Sequence, residues 1–289
     1  MRFTDLKQYL TKKKEKINQY LETYLPPEDD NPTLIHKAMR YSVLNGGKRI
    51  RPILTIMAAE LLGVNDYIVM PTACGIEFIH NFSLIHDDLP CMDNDDYRRG
   101  NLTTHKAFDE ATAILAGDAL LVLGLDNIRK NMDVREISAD TVLLVLQDIL
   151  EMLGTNKMLG GQMDDIYWHN QKNNPHFIRD IYAKKTAALL CSSLKAGGLL
   201  AGANQEQLNR LSQYGYNFGM TFQITDDLLD LQQDQQDSDK PTFPEIFGME
   251  QSRIEAQHYC QAAKENVKIF GKKAALFLDL ADFVLDRKK

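Results

Sequence analysis

The stretch DYIVMPTACGIEFIHNFSLIHDDLP, residues 66–90, decides the fold. It reads as one long apolar helix that begins near Asp66 and runs until Pro90 breaks it. The same helical spacing continues on both sides. Upstream, Leu6, Leu10, Ile17, Leu21 and Leu25 mark a first helix that Pro26-Pro27 stops. Asn31-Pro32 reads as an N-cap with proline at the first helical position, opening a second helix that ends at Gly46-Gly47. A third starts near Pro52 and runs to Gly63. Downstream, helices are expected over roughly 109–130, 138–160, 176–201, 205–235, 250–270 and 273–288. No strand–turn–strand pattern is found, because the flanks of Asn45-Gly46 are helical rather than alternating. The polar patch at 232–239 is short enough to be a loop. The expectation is one all-α domain over residues 1–289.

Composition narrows the function. With 289 residues, 44% hydrophobic and 25% charged, the chain has the make-up of a soluble globular protein. A net charge of -7 argues against nucleic acid and anionic lipid as partners, since both need a basic face. The apolar stretches 111–125 and 187–203 are interrupted by Asp118 and Lys195, so no membrane insertion is expected. The amino terminus lacks the apolar core of a signal peptide. Cys74, Cys91, Cys191 and Cys260 are scattered without a C-x-x-C pair, which fits a reducing, cytoplasmic location.

Two acidic clusters carry the chemistry. Asp87 and Asp88 fall at the C-terminal end of the long helix, where carboxylates oppose the helix dipole and call for a compensating cation. Asp93 follows in the same segment. In the second cluster, Asp226, Asp227 and Asp230, the first and last are i and i+4 on one helical face and repel each other. Such hard oxygen ligands suit magnesium, which binds through a few carboxylates together with substrate phosphates. An isolated cluster of this kind is as readily a solvated patch. Two clusters, each preceded by an apolar stretch, are harder to place on a surface.

Basic residues stand nearby. Lys48 and Arg51 sit at a helix start that already favours an anion, and Arg98-Arg99 follow the first cluster. His80 is two helical turns before Asp87 and shares its face, although a lone histidine more often simply packs. The glycine pair before Lys48 is not a P-loop, because no Ser or Thr follows the lysine.

These motifs, in this order, resemble the trans-isoprenyl diphosphate synthases, in particular the bacterial farnesyl diphosphate synthases. The resemblance covers nearly the whole chain: GGKRIRP (46–52), SLIHDDLPCMD (83–93) with RRG (98–100), GGQMDD (160–165), KT (185–186), FQITDDLLD (222–230) and Lys240. It implies an all-α bundle around a deep central cavity, a homodimer, and three magnesium ions held by Asp87, Asp88, Asp93, Asp226, Asp227 and Asp230. It implies that Arg98, Lys185 and Lys240 contact the allylic diphosphate, and that Lys48, Arg51, His80 and Arg99 hold isopentenyl diphosphate. Thr186 and Gln223 match polar groups near the developing allylic cation. They join Asp87, Asp88, Lys185 and Asp226 as the expected catalytic set.

Product length is assigned to Phe82, with Ser83 beside it. An aromatic ring five residues before Asp87 can form a cavity floor, and shorter-chain bacterial members often carry one there. Spacing alone fits a core phenylalanine equally well, because Phe82 points about 140° away from Asp87 around the helix. The activity implied is condensation of isopentenyl diphosphate with dimethylallyl or geranyl diphosphate, giving farnesyl diphosphate. A geranyl or geranylgeranyl diphosphate synthase is the near alternative. A non-catalytic prenyltransferase subunit, a terpene cyclase and a helical phosphohydrolase using His86-Asp87 are the more distant ones. Two features depart from the family pattern: the segment between Asp230 and Lys240 is short and rich in Gln, and Pro241 follows the lysine. Cys91, inside the first motif, is expected to be a small buried filler.

Overall fold

Residues 4–168, 175–231 and 241–287 are described in the computed structural model of the chain. They form α1 (Thr4–Tyr24), α2 (Thr33–Leu44), α3 (Ile50–Leu61) and α4 (Asp66–Asp87), then a two-residue hairpin, β1 (Tyr97–Arg98) and β2 (Asn101–Leu102). The chain continues through α5 (Thr104–Ala107), α6 (Glu110–Arg129), α7 (Ala139–Leu153), α8 (Met158–Ile166) and α9 (Pro175–Ile181). A π-helical turn, Tyr182–Ala187, leads into α10 (Ala188–Leu200), followed by α11 (Gln205–Leu231), α12 (Phe243–Phe247), α13 (Met249–Val267) and α14 (Ala275–Leu285). The all-α expectation holds.

Helix α4 is central, packed against α3, α6 and α10. It buries residues on every side, from Ile68 and Val69 through Phe78 and Ile79 to Ile85, which explains why its sequence is apolar all round. Among the described residues, two segments, Asp66–Asp87 and Glu110–Asp133, are long and apolar enough to cross a membrane. In the first, 83% of the most apolar window is buried inside the protein; in the second, 44% is. The remaining apolar surface of α6 is concentrated at Ile114, Leu115 and Val122, which are exposed, as are Leu143, Leu144 and Leu150 on α7.

Several boundaries differ from the sequence reading. The helix expected over 138–160 is two, because the chain turns out at Gly154 after α7 and restarts at Met158. Helix α3 begins at Ile50, two residues early, with Arg49 as its N-cap in a left-handed conformation (φ 55°). Pro32, not Asn31, stands at the N-cap of α2. Helices α5 and α12 were not expected, nor was the hairpin. Its central residues, Arg99 (φ 56°) and Gly100 (φ 82°), both take the positive φ that a tight two-residue loop needs. Its arms are too short and polar to show alternation. The 232–239 patch and Lys240 lie outside the described residues.

Candidate active site

A cavity of about 690 Å³ opens between α3, α4, α8, α10 and α11 and gathers most of the expected site residues. Lys48, Arg51, His80, Phe82, Ser83, Asp87, Arg98, Arg99, Lys185, Thr186 and Gln223 all line it. Phe82 and Asp87 therefore share one cavity despite their angular separation on α4, because the cavity wraps around more than one face of the helix. Met158, Leu159, Leu189 and Leu190 add apolar lining to the same cavity.

One end is built for an anion. Arg51 Nη1 lies 3.2 Å from His80 Nε2, while Arg51 Nε is buried without a hydrogen-bond partner. Burial, with Arg99 adding to it, lowers the Arg51 guanidinium to about 10. The same burial, with the surrounding arginines, holds His80 well below the usual histidine range, so its ring is neutral. Arg99 donates from Nη1 to Gly46 O at 2.8 Å, across Gly47. Gly47 is required twice over: its φ is 115°, and a Cβ there would stand 2.8 Å from the Arg99 guanidinium.

Sequence reasoning missed what holds this end in place. Arg49, 2% exposed, donates from Nη1 to Glu77 Oε1 (2.7 Å), from Nη2 to Val43 O (2.6 Å) and from Nε to Asn18 Oδ1 (2.8 Å). These bonds fix Arg49 in its left-handed conformation, next to Lys48 and two residues before Arg51, both of which line the cavity. The partners lie 6 to 31 positions away, so no local pattern announces them.

The other end is acidic. Burial raises the Asp87 carboxyl, and Lys185, with Nζ 3.4 Å away, only partly offsets it. Lys185 also binds Asp165 Oδ2 at 2.7 Å. Burial alone would lower the Lys185 ammonium, but Asp87 and Asp165 outweigh it and raise it. The π-helical turn widens the helix at this point and carries Lys185 and Thr186 to the cavity wall. Asp226, which is not among the residues lining the cavity, is likewise raised by burial, against Arg287 and Lys48. Arg287 places Nη2 2.5 Å from Asp226 Oδ1, a contact with no signal in the sequence.

Two further carboxylates expected among the metal ligands also accept from protein donors. Asp88 is buried and accepts from Arg98 Nε at 2.5 Å; burial lifts it to about 7 in spite of that pairing. Arg98 also holds Asp95 Oδ2 at 2.9 Å. Asp227, next to Asp226 on α11, is buried. Its oxygens accept from Tyr182, Phe243 and Gln223. Cys91 is exposed, not the buried filler expected, while the other three cysteines are buried and all four are free.

Among the described residues, no three Asp, Glu, His or Cys side chains converge to enclose a metal by themselves. Magnesium takes much of its coordination from phosphate oxygens and water and does not require an all-protein cage. Asp87 and Asp226, desolvated and paired with Lys185 and Arg287, carry the hard carboxylate oxygens that such a cation would take.

The chain is a helical bundle around a cavity that gathers the cationic Lys48, Arg51, Arg98, Arg99 and Lys185 with the carboxylate of Asp87. Known proteins resemble it. The Polyprenyl synthetase family matches residues 32–272. A dimethylallyltranstransferase of Fischerella ambigua (strain UTEX 1903) is 39% identical over 98% of this chain and 84% of its own length. A geranylgeranyl diphosphate synthase of Cyanophora paradoxa is 38% identical over 96% of this chain and 95% of its own. The crystal structure of an FPP/GFPP synthase from Zymomonas mobilis superposes with a TM-score of 0.89 at 33% identity, covering 98% of this chain and 99% of that one. The chain belongs to the polyprenyl synthetase family, the trans-isoprenyl diphosphate synthases, and is a prenyltransferase.

Proposed function

We propose that the protein is a magnesium-dependent farnesyl diphosphate synthase. It joins isopentenyl diphosphate to dimethylallyl and then geranyl diphosphate, each time releasing diphosphate. The observation that carries the chain length is the Phe82 ring at the cavity wall, braced edge-on by the His86 ring at a centroid distance of 4.9 Å. An aromatic so held limits the tail that can be accommodated.

Each residue has a task in this reading. Lys48, Arg51 and Arg99 bind the isopentenyl diphosphate, and the buried, unpartnered Arg51 Nε gains its partner from it. Asp87, Asp93, Asp226 and Asp230 hold the magnesium ions, three by analogy with the family. Those ions, when bound, neutralise the leaving diphosphate. Lys185, and Lys240 beyond the described residues, take up the same charge as the allylic C–O bond breaks. The oxygens of Thr186 and Gln223 face the allylic cation that remains. The isopentenyl double bond attacks that cation, forming the new C–C bond, and a proton then leaves to give the product alkene. His80, neutral among arginines, is a poor acceptor for that proton. The released diphosphate takes it instead.

The exposed apolar face of α6 and α7 fits a second copy of this chain, making a homodimer rather than a membrane-inserted form. Four free thiols suit the reducing cytoplasm. A geranylgeranyl product is the second reading, favoured by relatives such as the Cyanophora paradoxa synthase. Purified protein incubated with isopentenyl diphosphate and each allylic primer, with and without EDTA, separates the two. A fifteen-carbon product lost on chelation supports the proposal; a twenty-carbon product supports the second reading; no condensation refutes both.

A further inference from the structure

One chain of hydrogen bonds runs from a buried tyrosine to the cavity wall. Asp227 Oδ2 accepts from the Tyr182 hydroxyl and from the backbone N–H of Phe243, the latter at 2.9 Å. Asp227 Oδ1 accepts from Gln223 Nε2 at 3.1 Å, and Gln223 Oε1 accepts from the Thr186 hydroxyl at 3.1 Å. Gln223 and Thr186 line the cavity, whereas Asp227 and Tyr182 do not.

The order of donors and acceptors matters. The two ends of a glutamine amide have nearly the same shape, so only its neighbours decide which end faces which way. An ionised carboxylate accepts and cannot donate. Asp227 therefore draws the amide nitrogen to itself and leaves the amide oxygen facing Thr186. Turned over, the same side chain would present N–H groups, with partial positive charge, to the place where an allylic cation develops. Tyr182 and Phe243 hold the carboxylate from behind, so it does not swing with the glutamine.

We propose that Asp227 is a positioning residue and not a magnesium ligand: held by Tyr182 and Phe243, it locks the Gln223 amide with its oxygen toward the allylic carbon. The proposal deepens the prenyltransferase reading and rests on it. It also separates Asp227 from Asp226, its neighbour in the same acidic cluster, whose carboxylate belongs to the metal.

The test is the variant Asp227→Asn. Asparagine has one acceptor oxygen, and the backbone N–H of Phe243 cannot move away from it. The new amide nitrogen then faces Gln223, whose amide must turn over. The turnover number is expected to fall by roughly 10- to 100-fold, with KM for both substrates changed by less than about 3-fold. Calorimetric titration of Mg2+ into protein with inorganic diphosphate should give wild-type affinity for Asp227→Asn and at least about 10-fold weaker affinity for Asp226→Asn. In a Gln223→Met background, where no amide is left to turn, Asp227→Asn should add little further loss. Loss of Mg2+ affinity matching that of Asp226→Asn, or an equal loss of turnover in both backgrounds, overturns the proposal.

If Asp227→Asn does not melt cooperatively, Tyr182→Phe replaces it in the same cycle. It should lower turnover about 3-fold or more in the wild-type background and leave the Gln223→Met background unchanged. Equal effects would overturn the proposal in the same way. A wild-type protein that makes no prenyl product refutes the reaction itself, and the Mg2+ titrations then still decide whether Asp227 binds metal.

Discussion

Arg287 reaches from the end of the chain to lie on Asp226. Its Nη2 stands 2.5 Å from Asp226 Oδ1 and 2.8 Å from Phe222 O, and its guanidinium rests 4.2 Å from the centroid of the Phe222 ring. A carboxylate assigned to magnesium is thus paired with a cation supplied by the protein. The two cations compete for one oxygen, so Arg287→Gln should tighten Mg2+ binding in the presence of diphosphate by roughly 3- to 10-fold, the worth of a partly buried ion pair. Calorimetry reads this directly. Weaker Mg2+ binding in the variant would mean that Arg287 helps to assemble the metal site.

Arg51 should matter chiefly to one substrate. It is the buried guanidinium whose Nε lacks a partner, and it sits at the cationic end of the cavity. Arg51→Gln removes charge-assisted bonds to a diphosphate and should raise KM for isopentenyl diphosphate by about 10-fold or more, with a smaller effect on the allylic primer. The reverse pattern in steady-state kinetics would show that the two pockets are exchanged.

His80 gives the molecule a defined response to acid. Burial, then Arg51 and the other arginines, hold its pKa well below 6.5, whereas in the unfolded chain it takes a proton near that pH. The stability it confers is present above pH 6.5 and is lost as pH falls toward the folded value, at up to about 1.4 kcal/mol per pH unit. Melting of the wild type and of His80→Gln between pH 7.5 and about 5 should show the steeper decline in the wild type. Parallel curves would place a proton on His80 in the folded state.

Gly117 on α6 makes the notch in which His86 lies. A Cβ at that position would stand 2.4 Å from His86 Nε2, the atom that bonds Ile114 O at 3.1 Å. Gly117→Ala should push the imidazole toward Phe82 and the cavity, and so raise the share of ten-carbon product by about 3-fold or more. Chromatography of the products checks it. A wild-type distribution from a folded variant would mean that His86 does not support the floor.

The sequence made the helices legible because their apolar spacing is local, and it located the site because its acids and bases are consecutive or a turn apart. Asp87, Lys48, Arg51, Lys185 and Gln223 all line one cavity as the motifs led one to expect. What it could not show depends on partners distant in sequence. Arg49 looks like one more basic residue until Glu77, 28 positions on, pairs with it. Nothing in the motif shows that Tyr182, 45 positions away, donates to an oxygen of Asp227. The π-helical turn at Tyr182–Ala187 packs against α8 and α11, elements distant in sequence, and has no local composition that announces it. Cys91 was misread because the turn after α4 lies at the surface, although the helix before it is buried.

The central claim, that Phe82 makes this prenyltransferase stop at farnesyl diphosphate, is tested most directly by sizing the products of the wild type and of Phe82→Ala on the same substrates. The wild type should give a fifteen-carbon product. An active Phe82→Ala should give a product longer by at least one five-carbon unit. A twenty-carbon wild-type product, or an unchanged fifteen-carbon product from the folded and active variant, would contradict it.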